Sequence, residues 1–278
     1  MTTLQGRLRS LALAVAAACS AGAGFADTPV PMQEVRPGSP AGYLAKEALP
    51  NSAALLPPPP ALGSAGLALD QEVARAALAM RDSARWTLAA MDADLTFPNA
   101  AGTFSCALGA PVTEQDTPRL YQMLRRVLAD ASYATYAAKA KYQHARPFML
   151  DGQPICTPNN EKPLRTEGSY PSAHTSIGWA SALVLAEASP DQTDTILARG
   201  LAFGQSRLVC NVHWESDVIE GRTIGAATVA RLHADPAFLA DLAAAKDELE
   251  AVRAKQLPPQ RNCAFEAEAL AQTLPQAR

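Results

Sequence analysis

The sequence predicts an all-α protein with a single helical-bundle domain. Apolar residues recur at steps of three and four through most of the chain after residue 66, which is the period of an amphipathic helix. A capping residue followed by proline, as in Thr117-Pro118 and Asp235-Pro236, marks where such helices begin. No segment alternates convincingly with a period of two, which also favours an all-α fold.

The N-terminus has the features of a secretory signal peptide over residues 1–26. Arg7 and Arg9 precede a short apolar run, and Gly24 and Ala26 place small residues at the two positions that a signal peptidase recognises. We therefore expect cleavage near Ala26 and a periplasmic or secreted protein. No later segment has the roughly 18 unbroken apolar residues of a transmembrane helix, so we expect no membrane span.

Residues 27–66 are predicted to form a proline-rich N-terminal arm. Nine of the 22 prolines lie at or before Pro60, and few residues of this segment have the character of a core. An arm that wraps the domain, or a linker, fits this composition. The helical domain is expected at residues 67–278, with a C-terminal tail that is tethered through Cys263.

Six helices are expected within the domain. The first follows a possible cap at Asp70 and reaches Met91, and the second begins at Pro118 and continues past Lys139. The third contains the segment IGWASALVLA, which is apolar nearly all round and therefore predicts the buried central helix. The other helices are expected at 190–208, at 216–232 and from Pro236 onward, and irregular loops at 92–116 and 148–171.

Charge and cysteine content exclude some classes of protein. The net charge is −3 and no basic run is present, which argues against nucleic acid as the main partner. Four cysteines remain after cleavage of the signal peptide, and an even number in an exported chain suggests two disulfide bonds. These cysteines are Cys106, Cys156, Cys210 and Cys263, and the count alone allows three connectivities.

Three short clusters contain the candidate catalytic and binding residues. They are Lys139 with Arg146-Pro147, then Pro171-Ser172-Ala173-His174, then Ser206-Arg207 with His213 and Asp217. Each cluster alone has an ordinary structural explanation: a cation complements the end of a helix, Ser172 caps a helix, and His213 packs beside Trp214.

Taken together, the clusters predict a site for a phosphate group. The N–H groups at the start of the third helix would form an anion cradle with Ser172. Asp217 lies one helical turn after His213, so its carboxylate can fix the ring tautomer and leave the other nitrogen free to attack phosphorus. His174 can protonate the leaving oxygen. Three cations complete the parts that phosphoryl transfer needs: Lys139, Arg146 and Arg207.

These residues resemble the motif of the bacterial class A non-specific acid phosphatases. That family belongs to the type 2 phosphatidic acid phosphatase superfamily and shares its site with vanadium haloperoxidases. Its pattern is Lys, six residues, Arg-Pro; then Pro-Ser-Gly-His; then Ser-Arg, five residues, His, three residues, Asp. The clusters above follow this pattern with the same spacings. The likeness extends over about residues 70–250 and implies the acid phosphatase/vanadium-dependent haloperoxidase fold.

The resemblance implies a role for each motif residue. His213 would attack phosphorus and form a phosphohistidine, Asp217 would orient it, and His174 would protonate the leaving alkoxide and then activate water. The phosphate oxygens would be held by Lys139, Arg146, Ser172, the backbone of Ala173, His174 and Arg207. The family uses no metal or other cofactor. His144 and His233 match no motif position, so we expect them to be ordinary residues.

The family resemblance also implies substrates, inhibitors and assembly. The protein would be a broad-specificity phosphomonoesterase that works best in acid on nucleotides, sugar phosphates and aryl phosphates. Vanadate and phosphate would inhibit it, and a homo-oligomer, such as a dimer, would be the assembly. For the disulfide bonds we favour Cys156–Cys210, because both cysteines flank active-site motifs, which leaves Cys106–Cys263 to hold the tail.

One position departs from the family pattern. Ala173 stands where the family usually has glycine, and alanine is unfavourable if this position needs a positive φ. Two other functions therefore stay open: a vanadate-dependent haloperoxidase, although those proteins are usually much longer, and a phosphate-binding protein with impaired catalysis. A membrane-embedded lipid phosphatase is disfavoured because no spanning segment is expected.

Overall fold

The computed structural model describes residues 34–36 and 39–274, so the expected signal peptide lies outside the described residues. The described part is helical apart from one short antiparallel strand pair, which confirms the all-α prediction. The strands are β1 (Glu34–Arg36) and β2 (Ser39–Pro40). The helices are α1 (Ser52–Leu55), α2 (Ala65–Leu78), α3 (Ala84–Asp92), α4 (Ser105–Leu108), α5 (Pro118–Tyr133), α6 (Tyr136–Tyr142), α7 (Pro147–Asp151), α8 (Glu161–Leu164), α9 (Ala173–Ala188), α10 (Thr193–Val209), α11 (Glu215–Leu232), α12 (Pro236–Ala254) and α13 (Cys263–Ala271).

Helix α9 is the centre of the bundle, with α5, α10 and α11 packed around it. A helix that is apolar nearly all round has no face suited to water, so it is stable only when other helices cover every side. The side chains of Ala180, Ala182, Val184 and Leu185 are accordingly buried completely. The predicted central helix thus occupies the centre of the core.

Two glycines allow α11 to lie unusually close to α9. A Cβ atom on Gly221 would be 2.6 Å from the carbonyl oxygen of Ser172, and one on Gly225 would be 2.6 Å from the carbonyl oxygen of Ser176. Such a separation is too short for a real carbon–oxygen contact, so only glycine permits this packing. The close approach brings the start of α11 against the start of α9.

The predicted first helix is in fact two helices. Ser64 caps α2 and Ser83 caps α3, each by accepting a backbone N–H with its hydroxyl oxygen. Asp82, between them, has a φ of 62°, which a right-handed helix cannot accommodate. Asp70 is therefore not a cap of its own helix. Its carboxylate accepts hydrogen bonds from the backbone N–H and hydroxyl of Ser216, and so it caps the distant α11.

Other predicted boundaries also shift. The second helix ends at Tyr133, and Lys139 lies in the separate short helix α6. The predicted irregular loops contain α4, α7 and α8, and the tail forms an additional helix, α13.

The described end of the N-terminal arm enters the core more than its composition predicts. Tyr43 and Leu56 are buried. The backbone N–H groups of Tyr43 and Leu44 both donate to the carboxylate of Asp130 on α5. This part of the arm is therefore held against the bundle by specific hydrogen bonds as well as apolar packing.

Two disulfide bonds join distant parts of the chain. Cys106 in α4 is bonded to Cys263 in α13, and Cys156 is bonded to Cys210, the residue after α10. These are the two pairs that the sequence analysis favoured. Among the described residues, no helix combines the length and the apolar character needed to cross a bilayer.

Candidate active site

The predicted site residues lie at the ends of five helices. Lys139 is in the last turn of α6, and Arg146 directly precedes α7. Ser172 directly precedes α9, and Arg207 is in the last turn of α10. The turn before α11 contains His213, and the first turn of α11 contains Asp217. All six of these side chains are buried. Hydrogen bonds join Arg146 to His213 and Ser172 to Asp217, whereas the side chain of Arg207 is bonded to Ala89 of α3.

His213 and Asp217 form the expected hydrogen-bonded pair. His213 Nδ1 is 3.1 Å from Asp217 Oδ2, and the backbone N–H of Trp214 donates to the same oxygen at 2.9 Å. Burial opposes the ionisation of Asp217, but hydrogen bonds from His144 and His213 outweigh it and hold the pKa of this carboxyl below its usual range. Because an ionised carboxylate only accepts hydrogen bonds, His213 Nδ1 bears the proton.

The other ring nitrogen of His213 is therefore unprotonated. Arg146 Nη1 lies 3.2 Å from His213 Nε2, and a guanidinium can only donate, so Nε2 accepts this bond with its lone pair. Burial and the charge of Arg146 lower the pKa of His213 well below its usual value. The ring is thus neutral, with its free lone pair directed at the guanidinium.

Arg146 and Lys139 are both anchored to backbone carbonyls. Arg146 Nη1 donates to Val212 O at 2.9 Å, while Lys139 Nζ donates to Gly168 O at 2.7 Å and pairs with Glu167 Oε1 at 3.2 Å. Burial, reinforced by the charge of Arg146, lowers the pKa of Lys139 to about 8. Lys139 therefore remains a cation in neutral and acidic solution.

The guanidinium of Arg207 has one nitrogen that is hydrogen-bonded and one that is not. Its Nη2 donates to Ala89 O at 2.6 Å, whereas its buried Nε has no hydrogen-bond partner among the residues that the structure describes. An unpaired buried donor is costly unless a ligand satisfies it. Arg207 is therefore suited to receive an anionic oxygen.

A buried ionic network lies beside Arg207. The carboxylate of Asp92 pairs with Arg199, with Oδ1 2.5 Å from Nη2, and also accepts from the hydroxyl of Ser206 at 2.7 Å. Arg85 donates to Ser206 Oγ, and Arg199 Nε lies 3.3 Å from Glu266 Oε2 on α13. This network fixes Ser206, the residue next to Arg207, and so fixes the end of α10.

The start of α9 is where the sequence predicts the anion cradle. Ser172 is the N-cap: its hydroxyl oxygen accepts from the backbone N–H of Thr175 at 3.2 Å, and its own N–H donates to the Asp217 carbonyl at 2.9 Å. Ala173 is the first helical residue and is not among the residues with positive φ. The alanine in place of the family glycine therefore causes no backbone strain.

His174 lies in the first turn of α9 with one nitrogen fixed. Its Nε2 is 3.1 Å from the carbonyl oxygen of Ala93, and since a carbonyl only accepts, Nε2 bears a proton. Burial and then the charge of Arg207 lower the pKa of His174 to about 3. In the absence of an anion, His174 is therefore neutral in mildly acidic solution.

The Cys156–Cys210 disulfide joins the two chain segments that flank the site. The backbone N–H of Cys156 also donates to Cys210 O at 3.3 Å. One segment is the 148–171 loop, which leads to the anion cradle, and the other leads from α10 to His213. The bridge therefore limits how far these two segments can separate.

Comparison with known proteins identifies the family. Residues 124–239 match the model of the PAP2 superfamily. The chain is 44% identical to a non-specific acid phosphatase of Providencia stuartii over 207 residues, which are 74% of this chain and 84% of that protein. It is 44% identical to a non-specific acid phosphatase of Salmonella typhimurium over 72% of this chain and 80% of that protein. An acid phosphatase of Zymomonas mobilis is 39% identical over 73% of this chain and 77% of its own length. The chain belongs to the non-specific acid phosphatases of the PAP2 superfamily.

Membership confirms the resemblance that the sequence motifs indicated. The segment that matches the PAP2 family contains every predicted catalytic and phosphate-binding residue, from Lys139 to Asp217. The structure of this PAP2 protein also brings those residues together near the starts of α9 and α11, where all of them except Ala173 and His174 are buried.

One further residue, His144, lies in this region although no motif position predicts it. His144 was expected to be ordinary, but its Nδ1 lies 3.3 Å from Asp217 Oδ1. The expectation for His233 holds, because it lies at the surface and pairs with Glu187. The position of His144 two residues before Arg146, inside the first motif, was the signal that could have drawn attention to it.

Proposed function

We propose that this protein is an exported, metal-independent acid phosphatase of broad specificity that hydrolyses phosphate monoesters through a phosphohistidine on His213. One observation carries the proposal: the buried His213 ring is protonated at Nδ1 by its pairing with Asp217 and presents an unprotonated Nε2 to the guanidinium of Arg146. A phosphate bound by that guanidinium would place its phosphorus next to a nucleophile.

The first chemical step transfers the phosphoryl group to the protein. The lone pair of His213 Nε2 forms a bond to phosphorus while the bond from phosphorus to the ester oxygen breaks. Protonated His174 donates its proton to the departing alkoxide, and since Nε2 is engaged by Ala93, the proton comes from Nδ1. Asp217 stabilises the positive charge that develops on His213.

The second step releases phosphate. Neutral His174 removes a proton from water, the water oxygen bonds to phosphorus, and the P–N bond returns its electron pair to His213 Nε2. Charge on the phosphoryl oxygens is stabilised in both steps by a set of preorganised donors. These are Lys139, Arg146, Ser172, the backbone N–H of Ala173 and Arg207.

The acid preference follows from His174. Its pKa of about 3 rests on burial and on the nearby cations, of which Arg207 is the strongest. A bound phosphate dianion neutralises these cations, so it raises the pKa of His174 and allows the ring to hold the proton that the leaving group needs. In neutral solution the ring loses this proton, and turnover falls.

The proposal is tested by p-nitrophenyl phosphate hydrolysis across pH, in the presence of EDTA, with vanadate and phosphate as inhibitors. We expect an acid optimum, no loss with EDTA, and no turnover in His213→Ala. Brief incubation with ³²P-labelled substrate followed by denaturation in alkali should label wild-type protein at His213. A fully active His213→Ala protein contradicts the mechanism. Bromide oxidation that depends on vanadate, without ester hydrolysis, favours a haloperoxidase, and phosphate binding without turnover favours a phosphate-binding protein.

We also propose the processing and assembly that the sequence analysis predicts. Cleavage near Ala26 would release a periplasmic or secreted protein with the arm at 27–66 and one helical domain at 67–278. The two disulfide bonds support an oxidising compartment. Light scattering on the purified protein tests the proposed homodimer, and N-terminal sequencing of the exported protein tests the cleavage site.

A further inference from the structure

His144 lies against the carboxylate that orients the proposed nucleophile. Its Nδ1 is 3.3 Å from Asp217 Oδ1 and 3.2 Å from the hydroxyl oxygen of Ser169, and its side chain is only 17% exposed. Because the carboxylate of Asp217 is ionised and only accepts hydrogen bonds, His144 Nδ1 is the donor. Asp217 therefore has an imidazole on each of its two oxygens.

The two oxygens of Asp217 have different sets of partners. Oδ2 accepts from His213 Nδ1 and from the backbone N–H of Trp214. For Oδ1, His144 is the hydrogen-bond donor that the described residues supply. Asp217 is completely buried, so loss of His144 would leave a charged oxygen without its donor in a site that water does not reach freely.

The backbone around His144 is hydrogen-bonded to two segments of the site, one at Ser169 and one at Trp214. The carbonyl of His144 accepts from the backbone N–H of Ser169 at 2.8 Å, in the segment that leads to the anion cradle. The carbonyl of Ala145 accepts from the indole N–H of Trp214 at 2.7 Å, next to His213. A ring on a fixed backbone can orient another group, because little further conformational entropy is lost when the hydrogen bond between them forms.

We propose that His144 is a positioning residue for the catalytic pair: its Nδ1–H holds Asp217 Oδ1 and thereby keeps Oδ2 directed at His213 Nδ1. The inference rests on the proposed function of His213 as the nucleophile. His144 does not touch the reacting phosphate in this arrangement. It acts by restricting the rotation of the carboxylate, which sets the tautomer and orientation of the His213 ring.

The positioning role requires an N–H donor and not a second positive charge. Two carboxylates interact electrostatically with the His144 ring: Asp217 of α11 and Asp70 of α2. The neutral His213 is bonded to the other oxygen of Asp217. An asparagine at position 144 tests this distinction, because its amide nitrogen takes the place of the histidine Nδ1 as a donor and is always uncharged.

The experiment compares three variants with the wild-type protein: His144→Ala, His144→Asn and the surface control His233→Ala. The measurements are kcat and KM for p-nitrophenyl phosphate across pH, the inhibition constant of inorganic phosphate, and the ¹H NMR signal of the His213 Nδ1 proton. Loss of the donor to a buried carboxylate should lower kcat about tenfold to a hundredfold. KM and the phosphate inhibition constant should change less than about threefold, since the phosphate-binding groups remain.

The asparagine variant should recover kcat to within about fivefold of the wild type, with the His213 Nδ1 proton signal restored, and His233→Ala should match the wild type. The inference is overturned if His144→Ala keeps its kcat and its His213 signal, or if His144→Asn is as impaired as His144→Ala. If His144→Ala does not fold, His144→Gln takes its place, because glutamine carries its amide one carbon too far out. An inactive wild-type protein overturns the proposed function instead, and the NMR comparison still decides the role of His144.

Discussion

The backbone N–H of Ser172 donates to the backbone carbonyl of Asp217 at 2.9 Å, which joins the proposed anion cradle directly to the residue that pairs with His213. The proposed phosphate-binding and nucleophilic parts of the site therefore cannot move independently. Their separation is set by the packing of α11 on α9, where Gly221 faces the Ser172 carbonyl.

Replacement of Gly221 by alanine should impair both stability and turnover. The added Cβ would lie 2.6 Å from Ser172 O, so α11 must move away from the cradle. Overpacking of this kind costs about 1 to 3 kcal/mol of unfolding free energy. Gly225→Ala is the matched control, because its Cβ meets Ser176 O at the same distance one turn farther along. Denaturation should show similar destabilisation of the two variants, and steady-state kinetics should show a larger loss of kcat in Gly221→Ala. Equal losses of kcat would mean that the Ser172–Asp217 contact does not contribute to turnover.

Binding of phosphate should raise the pKa of His174. This pKa is lowered to about 3 by burial and then by Arg207, with smaller contributions from Arg146 and Lys139. A bound dianion offsets these positive charges, so the charged imidazolium becomes less unfavourable. The pKa is measured by NMR titration of the His174 ring with and without saturating phosphate. The surface residue His233 should titrate identically in both samples, and an unchanged His174 would contradict its assignment as the acid.

The protein should lose stability as the pH falls below about 4. Burial opposes ionisation of Asp92, but Arg199 outweighs it and holds the pKa of this carboxyl below its usual value. A group whose pKa is depressed in the folded state stabilises the protein above its unfolded pKa and loses this contribution as the pH falls through the folded pKa. Asp217 acts in the same direction.

The Asp92 contribution is isolated by Asp92→Asn, which replaces one carboxylate partner of the buried Arg199 by a neutral group and leaves Glu266 as the other. Removal of one member of a buried pair typically costs about 3 to 5 kcal/mol. Thermal denaturation at several pH values should show a large loss at pH 6 and a smaller difference from the wild type in strong acid. Asp247→Asn, at an exposed position, should change neither. A pH-independent difference for Asp92→Asn would show that the carboxyl is not titrating as described.

Ala173→Gly should alter substrate preference more than rate. Ala173 begins α9 without a positive φ, so glycine relieves no strain and only removes a methyl group from the cradle. We expect kcat within about threefold of the wild type and a changed KM for bulky monoesters relative to small ones. A substrate panel that includes nucleotides, sugar phosphates and aryl phosphates measures the effect. A hundredfold increase in kcat would instead show that Ala173 impairs catalysis, which favours the alternative of a phosphate-binding protein.

The fixed motif spacings predicted local contacts, such as the hydrogen bond between His213 and Asp217, better than the sequence pattern predicted the boundaries of the helices. Residues at fixed motif spacings were brought together because short helices and turns determine their local geometry, as for His213 and Asp217. The role of Asp70 could not be found in this way, since its partner Ser216 is 146 positions away and only the tertiary packing brings them together. The same holds for His144 and Asp217, which are separated by 73 positions.

The break between α2 and α3 shows a second limit. Periodic apolar residues from Val73 to Met91 fit one continuous helix, but the serine at position 83 offers a cap, and its hydroxyl accepts the N–H of Trp86. Periodicity reports which side of a segment is buried, and it stays in phase across a short interruption. Local capping chemistry therefore decided the boundary against the longer pattern.

The disulfide between Cys106 and Cys263, which are 157 positions apart, closes a covalent ring of the intervening chain. Every predicted site residue lies inside this ring, whereas the arm, α2 and α3 lie outside it. One proteolytic cut anywhere in the 148–171 loop therefore leaves both pieces attached to one another. A nicked molecule should migrate as an intact chain on a denaturing gel until a reductant is added. The disulfide would keep Lys139 and His213, which lie on different pieces, in the same molecule.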